Sequence, residues 1–252
     1  MKVTILQTDI VWASPEYNIR RAEALMQGTV GTDLYVLPEM WSTGFCVEPQ
    51  GIAEEERSSI ALEWMRNKAK TMGCSICGSL AVRAADGSYR NRHYFITPAE
   101  EYYYDKHHLF SYGHENEHFT AGSDAVVAKW NGWRLLLLTC YDLRFPVFSR
   151  YGIAGQYDAV ICVANWPEKR RSAWDVLLSA RAIENQCYVI AANRTGQDPL
   201  CRYNGGSVVI DPLGRPITIT DEKECALTAS ISIDEVNNRR KRFPVLADRD
   251  SF

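Results

Sequence analysis

The sequence has no uninterrupted apolar stretch of the roughly 18 residues that a membrane-crossing helix needs. Its opening, MKVTILQTDI, lacks the long apolar core and small-residue cleavage site of a secretory signal. These absences predict a cytoplasmic protein with no membrane partner. An excess of charge of one sign is lacking as well: 28 Lys and Arg stand against 31 Asp and Glu, a formal net charge of -3. No broad field is therefore available to gather nucleic acid or an anionic surface. The glycine patterns that cradle phosphates are missing, and the five histidines stand in no zinc-finger spacing with the cysteines. No Ser/Gly linker or low-complexity run divides the chain. The partners left are small molecules and a second subunit.

What is present is 252 residues with 46% apolar content, enough to bury a large core, and the expectation is one domain over 1–252. Eight cysteines would suit a disulfide framework in a small secreted chain. In a chain of this size, with Cys162 and Cys187 inside apolar runs, reduced core thiols fit better. Cys74-Ser-Ile-Cys77 has redox spacing, but it enters an apolar strand instead of opening a helix.

The patterning alternates strand and helix. Val3 to Thr8 reads as a strand, followed by Ser14-Pro15, which opens a helix with Ile19, Ala22, Leu25 and Met26 on one face. Leu34 to Leu37 reads as a short buried strand, the stretch from Ala61 to Met72 as a helix, and Ser75 to Val82 as a strand. Asp86-Gly87 marks a hairpin, with strands at Arg92 to Thr97 and Tyr102 to Asp105 beyond it. The loop from His108 to Asp124 is long enough to be functional by length alone. The second half repeats the pattern: strand Leu135 to Thr139, a short helix near Val147, and strand Ala159 to Ala164. A helix with Ala173, Val176, Leu177, Ala180 and Ile183 on one face and strand Tyr188 to Ala192 complete the repeat. Asn204-Gly205-Gly206 reads as a turn before the strand Ser207 to Ile210, and Ala226 to Ile231 adds another. Two mixed sheets facing each other with helices outside would bury these runs, an α/β four-layer sandwich. Residues 237–252, with an Arg-Arg-Lys-Arg run, read as an exposed extension or a subunit contact.

Three polar residues stand at strand ends, where sites gather. Cys140 closes Leu135-Leu-Leu-Leu-Thr-Cys just before Pro146 turns the chain, a corner able to hold a nucleophile facing a cleft; taken alone, such a cysteine is ordinarily a small core hydrophobe. Glu39 ends Leu34-Tyr-Val-Leu-Pro-Glu, and a carboxylate left unpaired there would be costly. It is either half of an ion pair or a group that takes a proton from a thiol and returns it to a leaving amine. Lys106 in Tyr104-Asp-Lys-His-His-Leu-Phe is a surface lysine, or an ammonium that holds an oxyanion together with the backbone N–H of Tyr141. His107, His108, His114 and His118 read as loop residues, not as metal ligands.

Taken together, Leu37-Pro-Glu39-Met, Tyr104-Asp-Lys106-His-His-Leu-Phe and Thr139-Cys140-Tyr-Asp-Leu-Arg-Phe-Pro146 resemble the three signature blocks of the nitrilase superfamily of carbon-nitrogen hydrolases. The resemblance runs from the first strand to about residue 235. It implies a nitrilase-type α-β-β-α sandwich and a catalytic Glu39-Lys106-Cys140 triad with no metal or organic cofactor. It also implies a second glutamate in the loop after the lysine, for which Glu115, ahead of Ala121-Gly122, fits best and Glu117 is the rival. The Cys140 block, Asn165-Trp166-Pro167 and Arg181-Ala-Ile-Glu-Asn-Gln are similar to the bacterial omega-amidases, which implies a small amide substrate such as 2-oxoglutaramate or 2-oxosuccinamate. A carboxylate at the far end of such a substrate would be clamped by Arg144, unless Arg144 is a structural partner of Asp142; Phe145 and Trp166 would wall the pocket. Other chemistries open to the same site are nitrile, N-carbamoyl or other amide hydrolysis, and a non-catalytic scaffold of the fold is a further alternative. The resemblance also implies a homodimer through Phe148 to Gly152 and Ser172 to Glu184.

Overall fold

The computed structural model describes residues 1–220 and 222–250. In chain order the elements begin with β1 (Lys2–Gln7), α1 (Pro15–Met26), β2 (Leu34–Val36), β3 (Glu54–Glu55), α2 (Ile60–Met72), β4 (Ser75–Arg83), β5 (Tyr89–Ile96) and β6 (Glu101–Asp105). Then come α3 (Glu115–His118), β7 (Val127–Trp130), β8 (Trp133–Thr139), β9 (Ala159–Ala164), α4 (Arg171–Asn185) and β10 (Tyr188–Asn193). The remainder is β11 (Thr195–Gln197), β12 (Arg202–Asn204), β13 (Val208–Ile210), β14 (Pro216–Ile219), β15 (Cys225–Ser230) and α5 (Ile233–Arg242). Local chemistry sets several boundaries. Pro15 sits in the first turn of α1, where its missing N–H costs nothing. Ser59 accepts from the Leu62 N–H to cap α2, which stops at Gly73 in the left-handed region.

The strands form two large mixed sheets. The first runs β15-β1-β2-β4-β5-β6 with β3 beside β4, the second β14-β13-β10-β9-β8-β7, and β11-β12 form a separate ribbon. Parallel pairing of β1, β2 and β4 in one sheet is matched by that of β8, β9 and β10 in the other. Strand alternation then assigns the layers. Leu135 and Leu137 of β8 pack in a core shared with Val3, Ile5 and Val36 of the facing sheet. Leu136 and Leu138 point the other way, onto Trp174 and Leu178 of α4. On the opposite outer face, Leu6 and Tyr35 pack against Ala22 of α1 and Leu62 and Met65 of α2. Each fully buried leucine contributes about 1.5–3 kcal/mol by leaving water, so the unbroken leucine run of β8 anchors two interfaces at once. The architecture is an α-β-β-α sandwich. Among the described residues no helix is long and apolar enough to cross a membrane.

The structure adds short strands that the sequence pattern did not show, β7, β11, β12 and β14 among them, and it overturns three expectations about the fold. No helix forms near Val147; a 3₁₀ turn over Cys140–Arg144 takes its place, because the residue before Pro146 is driven out of the helical region. The buried face of α4 is Trp174, Leu178, Arg181, Ala182 and Asn185, while Val176 and Ile183 of the expected apolar face are 67% and 53% exposed. Polar members disguise the true face: Arg181 donates to the Leu143 carbonyl and Asn185 accepts from the Tyr151 N–H. The basic run of the expected 237–252 extension belongs to α5, and its Arg240 reaches into the fold to bond Asp158 and the carbonyls of Tyr157 and Gln186. The last two residues of that extension lie outside the described residues.

Candidate active site

The ends of β2, β6, β8 and β9 meet at one edge of the sandwich, the place where parallel strands present side chains to a ligand. Glu39 follows β2, held by its neighbours: Met40, at φ 42°, donates its N–H to Ser79 Oγ, and Asn165 Nδ2, beyond β9, bonds the Glu39 carbonyl at 2.6 Å. Lys106 follows β6. Its N–H reaches the Asn91 carbonyl and its own carbonyl accepts from Gly122. A Cβ on Gly122 would lie 2.2 Å from the Asp105 carbonyl oxygen, so only glycine lets the long loop close this tightly on the lysine.

These supports bring the side chains together. Lys106 Nζ lies 2.9 Å from Glu39 Oε1 and 2.8 Å from Glu115 Oε2, and all three side chains are fully buried. Asn91 Nδ2 donates to both carboxylates, at 2.8 Å and 2.9 Å. The remaining oxygen of Glu39 accepts the Asn165 N–H at 2.8 Å, and Glu115 Oε2 also accepts the Phe110 N–H at 2.7 Å. Every carboxylate oxygen of this cluster has a donor, which a buried charge requires. The geometry also separates the two loop glutamates: Glu115 sits in the cluster, whereas Glu117 pairs with His114 at the surface.

Cys140 is the first residue of the 3₁₀ turn, at φ 47°. A non-glycine residue there carries strain on the order of 1–3 kcal/mol and persists only where its surroundings enforce it. Asp142 does the enforcing. Its carboxylate accepts from the Thr139 N–H, the Tyr104 hydroxyl and the His108 N–H, and also pairs with His108 Nδ1. The Tyr141 N–H lies in the first turn, where no helical acceptor precedes it. Burial and the Glu39 charge push the Cys140 thiol well above its ordinary value, against the pull of Lys106, so the resting sulfur holds its proton. Burial opposes the charge on Lys106, but Glu115, Glu39 and Cys140 together hold the ammonium well above its usual range. Glu115 is raised by burial and by Glu39, with Lys106 pulling the other way.

Cys140 opens into a cavity of about 200 Å³. Its walls include Tyr141, Phe110, Trp166, Arg144 and Arg170. Arg144 lies over the Trp166 ring at 4.8 Å, and among the described residues no carboxylate pairs with it, Asp142 included. Trp166 lines this cavity as expected. Phe145 does not: it stacks on His108 at 3.8 Å and faces a neighbouring depression lined by Pro146 and Phe148, because the turn that presents Cys140 and Arg144 on one side puts residue 145 on the other. Sequence reasoning missed Asn91, Arg170 and the stretch from Asp198 to Tyr203 that closes the cavity mouth. Asn91 left little signal: it is the third residue of β5, between Arg90 and Arg92, and the sequence pattern starts that strand only at Arg92. Arg170 left none, since it stands in a run of charged residues that reads as solvated surface.

The sequence pattern of the family described as carbon-nitrogen hydrolase matches residues 2–241. Over its whole length the chain is 40% identical to omega-amidase YafV of Escherichia coli K12, covering 98% of that protein. It is 35% identical to 2-oxoglutaramate amidase of Bacillus subtilis, with 98% of each chain covered. Among solved structures, XC1258 of Xanthomonas campestris superposes with a TM-score of 0.95 at 38% identity over 100% of this chain and 98% of that one. That protein is described as a CN-hydrolase superfamily member with an arsenic adduct in its active site. A match across nearly every element, joined to the arrangement of residues 39, 106, 115 and 140 at one strand edge, makes this chain a member of the carbon-nitrogen hydrolase family.

Proposed function

We propose that the protein is an omega-amidase that cleaves the terminal amide of a short 2-oxo dicarboxylic acid, of the 2-oxoglutaramate or 2-oxosuccinamate type, to the acid and ammonia. The observation that carries this reading is the buried Glu39-Lys106-Glu115 cluster, whose charges act on the thiol of Cys140, a residue that lines a cavity together with an arginine without a carboxylate partner. Cys140 is the nucleophile. Because its thiol is protonated at rest, attack requires a base, and Glu39 takes the proton as the sulfur–carbon bond forms. The oxyanion is received by Lys106 Nζ and the Tyr141 N–H, donors already fixed before the substrate arrives. When the intermediate collapses the carbon–nitrogen bond breaks, and Glu39 returns its proton to the departing amine, releasing ammonia and leaving a thioester. Water then enters, gives a proton to Glu39 and attacks the acyl carbon; the thiolate leaves and is reprotonated. Glu115 holds Lys106 and the substrate amide in place.

Arg144 is the proposed clamp for the far carboxylate, with Trp166 as a wall of the pocket. The test is a substrate panel read by ammonia release. Among 2-oxoglutaramate, an aliphatic nitrile and an N-carbamoyl amino acid, the 2-oxo acid amide is turned over at least about a hundredfold more efficiently, the margin a matched polar contact provides. A preference for the nitrile or carbamoyl compound would reject the substrate assignment.

The cytoplasm is the proposed compartment, a reading supported by the buried thiols of Cys46, Cys74, Cys77, Cys162 and Cys187, which a reducing environment preserves. A homodimer is proposed through the segment around Phe148 to Gly152 and the outer face of α4. The two lie side by side: Arg150 bonds the Glu184 carbonyl and the Tyr151 N–H bonds Asn185. Together they expose Val147, Ile153, Val176 and Ile183, an apolar surface suited to self-association. Sizing at micromolar concentration is expected to give twice the chain mass for the wild type and a monomer for the Val176→Asp, Ile183→Asp double variant. A wild type that elutes as a monomer removes this assignment.

A further inference from the structure

The cavity mouth holds a second cation besides the proposed clamp. Arg170 is half-buried and lines the same space as Cys140 and Arg144. Its guanidinium lies 5.2 Å over the Phe110 ring, and its carbonyl accepts from Trp166 Nε1 at 2.8 Å, which ties it to the wall under Arg144. Among the described residues no carboxylate pairs with Arg170. Among the described residues the one acidic side chain that lines the cavity, Asp198, is already engaged: one oxygen accepts the N–H groups of Leu200 and Cys201, the other the Tyr203 hydroxyl. The cavity therefore offers two guanidinium groups resting on aromatic faces against one carboxylate whose oxygens are engaged, and its unpartnered acceptor, Asn165 Oδ1, is neutral.

That charge pattern distinguishes two molecules that are otherwise alike. An omega-amide of a 2-oxo acid carries a carboxylate beside a carbonyl oxygen, both hydrogen-bond acceptors, at the end away from the amide. The corresponding amino acid, glutamine, carries an ammonium where the carbonyl stood. Like charges brought together in a partly dewatered cleft repel strongly, and guanidinium donors cannot satisfy an ammonium. We propose that Arg170 is a specificity-determining residue: with Arg144 on the carboxylate, it bonds the 2-oxo oxygen and excludes the α-ammonium of glutamine and asparagine. This inference rests on the omega-amidase reading and adds the basis of its selectivity.

The test compares kcat and KM for 2-oxoglutaramate, glutamine and neutral butyramide in wild type, Arg170→Gln and Arg170→Lys. In Arg170→Gln, KM for 2-oxoglutaramate rises about tenfold, with kcat held within about threefold. The preference for 2-oxoglutaramate over glutamine falls about tenfold, the scale of one lost charged contact. Arg170→Lys, which keeps the charge, retains most of the preference against glutamine. A preference within about twofold of wild type in Arg170→Gln overturns the proposal, as does a loss of equal size for all three substrates, which would mark a merely structural role. A wild type that does not favour 2-oxoglutaramate over butyramide instead defeats the omega-amidase reading, and the wild-type protein alone decides that point.

Discussion

Cys140→Ala releases no measurable ammonia from 2-oxoglutaramate, a fall of about 10⁴-fold or more, because removing the proposed nucleophile leaves only the binding and oxyanion contributions. The variant keeps its fold: the side chain lies at a cavity wall, and alanine tolerates the turn no worse than cysteine does. Intact-mass measurement after a short substrate pulse separates this outcome from a general loss of function. Wild type gains the mass of the acyl group bound as a thioester, and Cys140→Ala gains nothing. Equal ammonia release by both proteins would remove Cys140 from the mechanism. The same residue has a distinctive response to pH. Its thiol is pushed well above 9.0 by burial and by Glu39, so simple alkylation by iodoacetamide continues to accelerate above pH 9. At neutral pH any lead of Cys140 over the other seven thiols depends on Glu39 acting as base and on access through the cavity, and Glu39→Gln erases that lead.

The parts of the site that were legible in the sequence share one physical property. Glu39 and Cys140 each follow an apolar strand, so a polar group there stands out from the residue pattern alone, whereas Lys106 follows the tyrosine-rich β6 and is marked only by its place at a strand end. The strands themselves were legible for a related reason: β8 and β9 are continuous apolar runs that only a sheet covered on both faces can bury. The parts that were not legible depend on direction. Phe145 sits one residue beyond Arg144 and points away from the cavity, a consequence of the 3₁₀ turn geometry that spacing alone does not show. On α4 the sequence offers two candidate stripes. The more apolar one faces outward, while the buried one includes Arg181 and Asn185, whose groups are satisfied only by partners distant in sequence, Leu143 and Tyr151. Arg170 becomes informative only through what is missing around it, an acidic partner, and that is a fact about space.

Lys106→Met tests whether the buried cluster is a single electrostatic unit. Methionine keeps much of the length and removes the ammonium, leaving Glu39 and Glu115 facing each other across Asn91 with no cation between them. Breaking a buried pair in this way costs about 3–5 kcal/mol, since the stranded charge cannot be rehydrated; at about 2–4 °C per kcal/mol for a chain of this size class, the melting temperature drops by roughly 6–20 °C. Activity falls further than stability requires, by about 10²–10³-fold in kcat, from loss of the proposed oxyanion donor. The pH dependence gives the sign of the effect. In the wild type the Lys106 ammonium is held above its ordinary value, so its contribution is complete below the unfolded-state value near 10.5 and is lost only as pH rises through the folded-state value. Nothing in the neutral range disturbs it. Without the ammonium, the pull that restrains Glu115 disappears and its already raised value climbs further. The folded protein then binds a proton that the unfolded chain releases, and stability decreases as pH rises above about 4.5. The deficit of Lys106→Met relative to wild type is therefore largest near pH 8 and shrinks on acidification toward pH 5. Adding Glu115→Gln to that variant returns part of the lost stability at pH 8, because the amide removes one of the two opposed charges. A Lys106→Met protein as stable as wild type across this range would mean that the carboxylates need no cation, and the role assigned to Lys106 as their counter-charge would be wrong.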